Sequence, residues 1–328
     1  MRGIRIKPHP WAQPYEGVVA EEEEEEGPNK VFVDPQVEVP REKWAPRSPQ
    51  EPPDGLEAIF VDGVRRIDVG VAEDDGGTLY WGMFGSYGVG AVVCRQGQAQ
   101  VIEEVVERCL IMGGDRIPQQ LDIPCGSGLL RYEGVSLSSN QPPEIRGHLQ
   151  KLMLQREGSL VSRLGKEEGG LIVIDGPLTS RVAKGVPVIG YVKTHHRSYL
   201  DEELFKVALR LSLGTRTPLF QIQGADPGDK DGVDRLSCYV RVSEPVPGHH
   251  AIGGIVRLEM WQVVGREVAA RLADWATTIL PRLASASHWD VRAPVNLYPV
   301  AALERELRHR LGDHYWVRRA ILQFLQRG

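Results

Sequence analysis

The chain has 328 residues, 41% hydrophobic and 25% charged, enough for a sizeable core in about two domains or one elaborated domain. Its net charge of −5 comes from a single run of six glutamates at 21–26, without which the remainder stands at +1, so contact with a polyanion must rely on local patches. The four cysteines lack C-x-x-C spacing, the start MRGIRIKPHPW lacks an apolar leader, and no stretch approaches a membrane span, so a soluble, cytoplasmic protein without structural zinc is expected.

Residues 1–54, rich in Pro and Glu, are expected to form an acidic, partly disordered arm, with one short strand in KVFVDPQVEV and a solvated glutamate run. The folded region then covers 55–328. LEAIFVDGV, RRIDVGVAE, TLYWGMFGSYGVGAVVC and QAQVIEEVVERCLI are β-rich, and EDDGGT makes a hairpin turn, which predicts an antiparallel meander. The first of these strands ends at Asp62-Gly63. The Gly- and Pro-rich stretch 112–143 gives no assignment. PEIRGHLQKLMLQREGSLVSRLG carries Ile145, Leu149, Leu152, Met153, Leu160 and Leu164 on one stripe, a helix stopping at Gly165.

GLIVIDG and GVPVIGYVKTHH predict two buried strands joined by a short helical turn, a parallel pair. EELFKVALRLSL is a second helix, LSCYVRVS and AIGGIVRLEMWQV are strands, and REVAARLADWATTILPRL is a third helix. The C-terminal LYPVAALERELRHRLGDHYWVRRAILQFL is helical. Meander, helix, two strands and C-terminal helices, in that order, predict an α/β fold. Its expected form is an RNase H-like mixed β-sheet flanked by helices, with insertions and a C-terminal helical region.

Metal-assisted phosphodiester hydrolysis needs several carboxylates from different elements converging on hard cations. Asp62 and Asp175 each close a short apolar run before glycine, so neighbouring strands would set both at one sheet edge. Each alone could be an ordinary turn aspartate. Glu157 falls inside the apolar arc of Met153, Leu160, Val161 and Leu164, where a charge is costly unless paired or metal-bound; a helix-edge salt bridge is the alternative. Asp68 is assigned a surface or turn role. Arg65, Arg66 and Lys193 stand near the acids and could contact phosphate, or be surface charge. His195-His196 and His249-His250 would point to opposite sides of a strand, and exposed loop positions are expected.

The chain resembles the NurA nuclease family over roughly 56–328. The resemblance rests on VDG at 61–63, on VIDGPL at 173–178 preceded by a helix bearing Arg156-Glu157, and on GYVK at 190–193. VRLE at 256–259 and LYPVAALERE at 297–306 complete it. It implies a dimeric, manganese-dependent (Mn²⁺ or Mg²⁺) exonuclease acting on DNA ends with the hexameric ATPase HerA, in DNA repair or defence. It further implies that Asp62, Glu157 and Asp175 are metal ligands and that Tyr298 is the tyrosine of the C-terminal Tyr-Pro motif. Glu306 would complete the metal shell or assist the water, with Glu304 its competitor, since both flank the Leu303/Leu307 stripe. Val64 and the acidic arm depart from the family pattern. A non-catalytic DNA clamp or ATPase adaptor is the alternative function, and an RNase H-like enzyme acting on RNA or a hybrid is a third reading.

Overall fold

The computed structural model describes residues 6–8, 32–167, 170–179, 181–193, 199–223, 234–245, 251–285 and 295–327. The glutamate run and both histidine pairs lie outside them. Among the described residues, no helix is long and apolar enough to cross a membrane.

Three long strands build the meander: β3 (Ala58–Asp75), β4 (Thr78–Arg95) and β5 (Gln98–Met112), preceded in the chain by β1 (Ile6–Pro8) and β2 (Phe32–Asp34). A two-residue turn at Gly76-Gly77, with φ of 64° and 90°, joins β3 to β4 in the EDDGGT segment, where positive φ at both positions matches the twist of the strands. The two segments read as separate strands around Gly63 are one strand of 18 residues. Gly63 does not break it. Its missing side chain leaves room for a helix carboxylate, since a Cβ there would stand 2.6 Å from Glu157 Oε1.

The unassigned stretch after β5 forms a hairpin, β6 (Leu121–Cys125) and β7 (Gly128–Ser136), with β7 parallel to β5. Helix α1 (Pro142–Glu167) runs past the expected stop at Gly165, which is there because Val186 packs where its Cβ would be. Strands β8 (Leu171–Asp175) and β9 (Val188–Val192) follow, both parallel to β3, and the described residues of the crossover between them form turns rather than the expected helical turn. The order β5-β4-β3-β8-β9 is the RNase H-like arrangement predicted from the element order.

The sheet continues beyond β9 through β12 (Ile255–Trp261), β11 (Arg235–Arg241), β10 (Phe220–Gln223) and β2, all antiparallel neighbours. Thus the short strand expected in the arm forms an edge of the body. Trp44 is buried nearby, and Glu38 grips Arg216 with both oxygens at 2.9 Å.

Alternation along the central strands divides the core between two faces. Ile59, Val61, Ile172 and Ile174 meet α1, whereas Phe60 and Val173 share a core with α3 (Arg266–Leu283) and α4 (Tyr298–Arg310). The remaining helices, α2 (Glu202–Leu209) and α5 (His314–Arg327), cover the β10–β11 end and the β6–β7 end.

Candidate metal centre

Asp62 lies one residue beyond the parallel pairing of β3 with β8, which ends at Val61, while still opposite Gly90 of β4. Its even position aims it at the α3–α4 face along with Phe60 and Val64. Asp175, the last residue of β8, lies on that face with Val173, and Gly176 turns the chain away at φ 96°. Helix α4 supplies the third carboxylate. It lies close upon β4 at Gly90, where a Cβ would meet Leu303 Cδ1 at 3.0 Å.

One carboxylate oxygen each from Asp62, Asp175 and Glu304 then fall within 4.8 Å of one another. Asp62 is buried, and its Oδ2 has no hydrogen-bond partner among the described residues. Burial, then the charges of Asp175, Glu157 and Glu304, push its carboxyl well above the ordinary range. Such a group calls for a cation, and three hard oxygen donors suit Mg²⁺ or Mn²⁺.

Glu157 approaches from the α1 side through the gap at Gly63. It is buried and lies 3.2 Å from Arg181 Nη1. Burial raises its carboxyl to about 7, against the pull of Arg181 and with a further push from Asp175. The helix-edge salt bridge and the position beside the acids are therefore both present, but Glu157 stands next to the three-carboxylate cluster rather than within it.

Glu306 is not in the cluster. It pairs with Arg310 Nε at 2.9 Å, and Arg310 also reaches Glu104 of β5 at 2.6 Å. Extending the apolar stripe of α4 to Val300 and Leu311 explains why: Glu304 borders that wider stripe, and Glu306 lies off it. Tyr298 is 48% exposed in the first turn of α4 and is not among the residues lining the adjacent cleft.

That cleft, about 210 Å³, opens between the end of β9 and α4 and is lined by Lys193, Asn296, Glu304 and Arg308, among others. Lys193 Nζ lies 2.6 Å from Asp175 Oδ2 and 3.3 Å from Asn296 Oδ1. Asn296 and Arg308 escaped the sequence reading, since neither belongs to a quoted motif.

The two arginines after Asp62 go elsewhere. Arg65 faces α1 and donates to Gln150 Oε1 at 3.1 Å. Arg66 is committed on all three nitrogens: Nε to Asp68 at 2.8 Å, Nη1 to the Gly312 carbonyl at 2.7 Å and Nη2 to the Leu311 carbonyl at 3.1 Å. These bonds engage three of its five N–H donors in holding the α4–α5 turn. Asp68 is no surface residue. It is fully buried at a register shift in β3, accepting also from Ser86 and from Tyr132 at 2.9 Å. With Arg108 donating to the Leu311 carbonyl at 3.0 Å, this network clamps the end of the helix that carries Glu304.

The NurA domain family matches residues 88–306, well over half of the chain. The chain belongs to the NurA family. The match takes in Glu157, Asp175, Lys193 and Glu304, while Asp62 precedes it and joins them only through the fold. No curated protein matches this NurA chain. Among solved structures, the NurA nuclease from Sulfolobus solfataricus is similar at 12% identity and a TM-score of 0.43, over 82% of this chain and 86% of that one. The catalytic domain of human Endonuclease V is similar at 15% identity and a TM-score of 0.33, over 79% and 85%. Endonuclease V of Ciona intestinalis, in complex with an inosine-containing DNA, gives 10% and 0.34, over 80% and 87%.

Proposed function

We propose that this NurA-family chain is a divalent-metal-dependent DNA nuclease that hydrolyses phosphodiesters at DNA ends. The observation that carries the reading is the convergence of Asp62, Asp175 and Glu304, with the buried Asp62 Oδ2 unpartnered among them. These three residues would hold the metal, Mn²⁺ or Mg²⁺. Bound there, the ion would polarise the phosphoryl oxygen and acidify the attacking water.

The chain's own groups do the rest. Lys193, now paired with Asp175, lies where its ammonium can bind a phosphate oxygen entering the cleft, and Arg308 offers a second cation on the opposite wall. Asp62 itself is buried, so its attraction for a bound cation is weakly screened by solvent. Glu157 adds negative charge from α1 and raises the demand for a cation.

Family membership supports the further reading that the chain acts as a homodimer with a HerA-type hexameric ATPase, in end processing or in defence against invading DNA. Incubation with linear and with closed-circular DNA, in Mn²⁺ and in chelator, tests the activity. Loss of linear DNA in Mn²⁺ alone, with circles spared, is expected. Equal loss of circles would overturn end-dependence. A chain that retains DNA but leaves it uncut in Mn²⁺ would be a clamp or adaptor instead.

A further inference from the structure

Arg181 belongs to none of the motifs. It stands in the crossover after β8, between the buried Leu178 and Val182. Its side chain is 9% exposed and faces Glu157, itself 3% exposed, at 3.2 Å. The same guanidinium turns Nη2 to the carbonyls of Asp175, at 3.3 Å, and Pro177, at 3.5 Å. One planar fork therefore touches both the helix carboxylate and the backbone that carries a cluster aspartate.

Two glycines make room for this arrangement, and a third permits the turn beside it. A side chain on Gly63 would displace the Glu157 carboxylate, and one on Gly158 would overlap the Arg181 carbonyl. Gly176, at φ 96°, lets the chain turn beside Arg181 Nη2, which lies 3.6 Å from where its Cβ would be.

We propose that Arg181 is a positioning residue for the metal centre: it holds Glu157 beside the cluster and, through the Asp175 carbonyl, fixes that strand end against α1. This rests on the metal-dependent nuclease reading. Groups that hold a ligand in place without touching the metal tune metal affinity by about 10–100-fold; Arg181 would do so through the backbone of Asp175 and through Glu157 beside the cluster. A lysine keeps the charge but cannot bridge two partners as a planar fork.

The test is Mn²⁺ affinity, measured by electron paramagnetic resonance and calorimetry on the full chain, for wild type, Asp62→Asn, Arg181→Met, Arg181→Lys, Glu157→Gln and the Arg181→Met/Glu157→Gln double variant. Circular dichroism confirms folding. Loss of a cation beside the carboxylates would by charge alone tighten Mn²⁺ binding, so the weakening expected in Arg181→Met, about 10-fold or more, reports lost positioning, with Arg181→Lys intermediate. In the Glu157→Gln background, Arg181→Met should add much less than it does alone. Should Arg181→Met not fold, the lysine variant decides, and wild-type affinity in it overturns the proposal. So does wild-type affinity in Arg181→Met, or full additivity in the double variant. If wild type binds no Mn²⁺, or Asp62→Asn binds it equally well, the metal reading fails and the proposal with it.

Discussion

Glu304 and Glu306 are two positions apart on α4, and the helix carries one toward Asp62 and the other toward Arg310 and Glu104. Exchanging each for glutamine separates them by function. Glu304→Gln should lower Mn²⁺-dependent cleavage by at least the roughly 10–100-fold that loss of an outer-shell partner costs, while Glu306→Gln stays near wild type; the reverse order in a cleavage assay contradicts the assignment. The acids also make stability depend on pH. Glu157 has a folded value of about 7 against an ordinary 4.5, so the folded state binds more protons than the unfolded one between those values. That contribution is fully present below about 4.5 and is lost as pH rises through about 7, and Asp62, also raised, acts in the same direction. Thermal melts in chelator should show metal-free protein losing stability across that window. A cation takes the place of the protons, so Mn²⁺ should raise the melting temperature more above the window than below it. A gain independent of pH would argue against a carboxylate site.

At the scale of elements, close approach governs what the sequence shows and what it hides. Gly63→Ala should cost about 1–3 kcal/mol, because its Cβ would stand 2.6 Å from Glu157 Oε1 and 2.9 Å from Met153 Cγ; urea unfolding measures it, and an unchanged midpoint would show that the gap is not needed. Periodicity made α3 legible to the residue and made β8, β9 and the strand in the arm recognisable. Glycine misled it twice. Gly63 and Gly165 read as a strand break and a helix stop, although each lies inside its element to admit a neighbour. That signal is long-range, since it depends on Glu157 and Val186. The hairpin at 121–136 stayed hidden because its short strands are half exposed and its turn lies among prolines and glycines. Asp62 and Asp175 could be found from strand ends. Choosing Glu304 required the full stripe of α4, and the role of Asp68 required β4, β7 and the α4–α5 turn together. Asp68→Asn leaves Arg66 short of its counter-charge and should cost about 3–5 kcal/mol, read by the same unfolding experiment.

Across the molecule, the sheet binds the N-terminal segment to the NurA body. Strand β2 pairs with β10, and Glu38 reaches Arg216, which also meets Asp274 of α3 at 2.6 Å. Burial opposes the charge on both partners, yet their pairing holds Glu38 below and Arg216 above their ordinary values. Arg216→Met should strand two carboxylates and release residues 32–54, making them the first site of limited proteolysis; protection equal to wild type would place the anchor elsewhere. The same sheet sets the metal centre where β3, β8 and α4 meet, with α1 behind it and the Lys193 cleft in front. The most direct measurement is Mn²⁺-dependent hydrolysis of linear DNA by wild type and by Asp62→Asn, each with a chelator control. The account predicts cleavage by wild type in Mn²⁺ and only background for Asp62→Asn. Equal cleavage by both, or cleavage that survives the chelator, would contradict it.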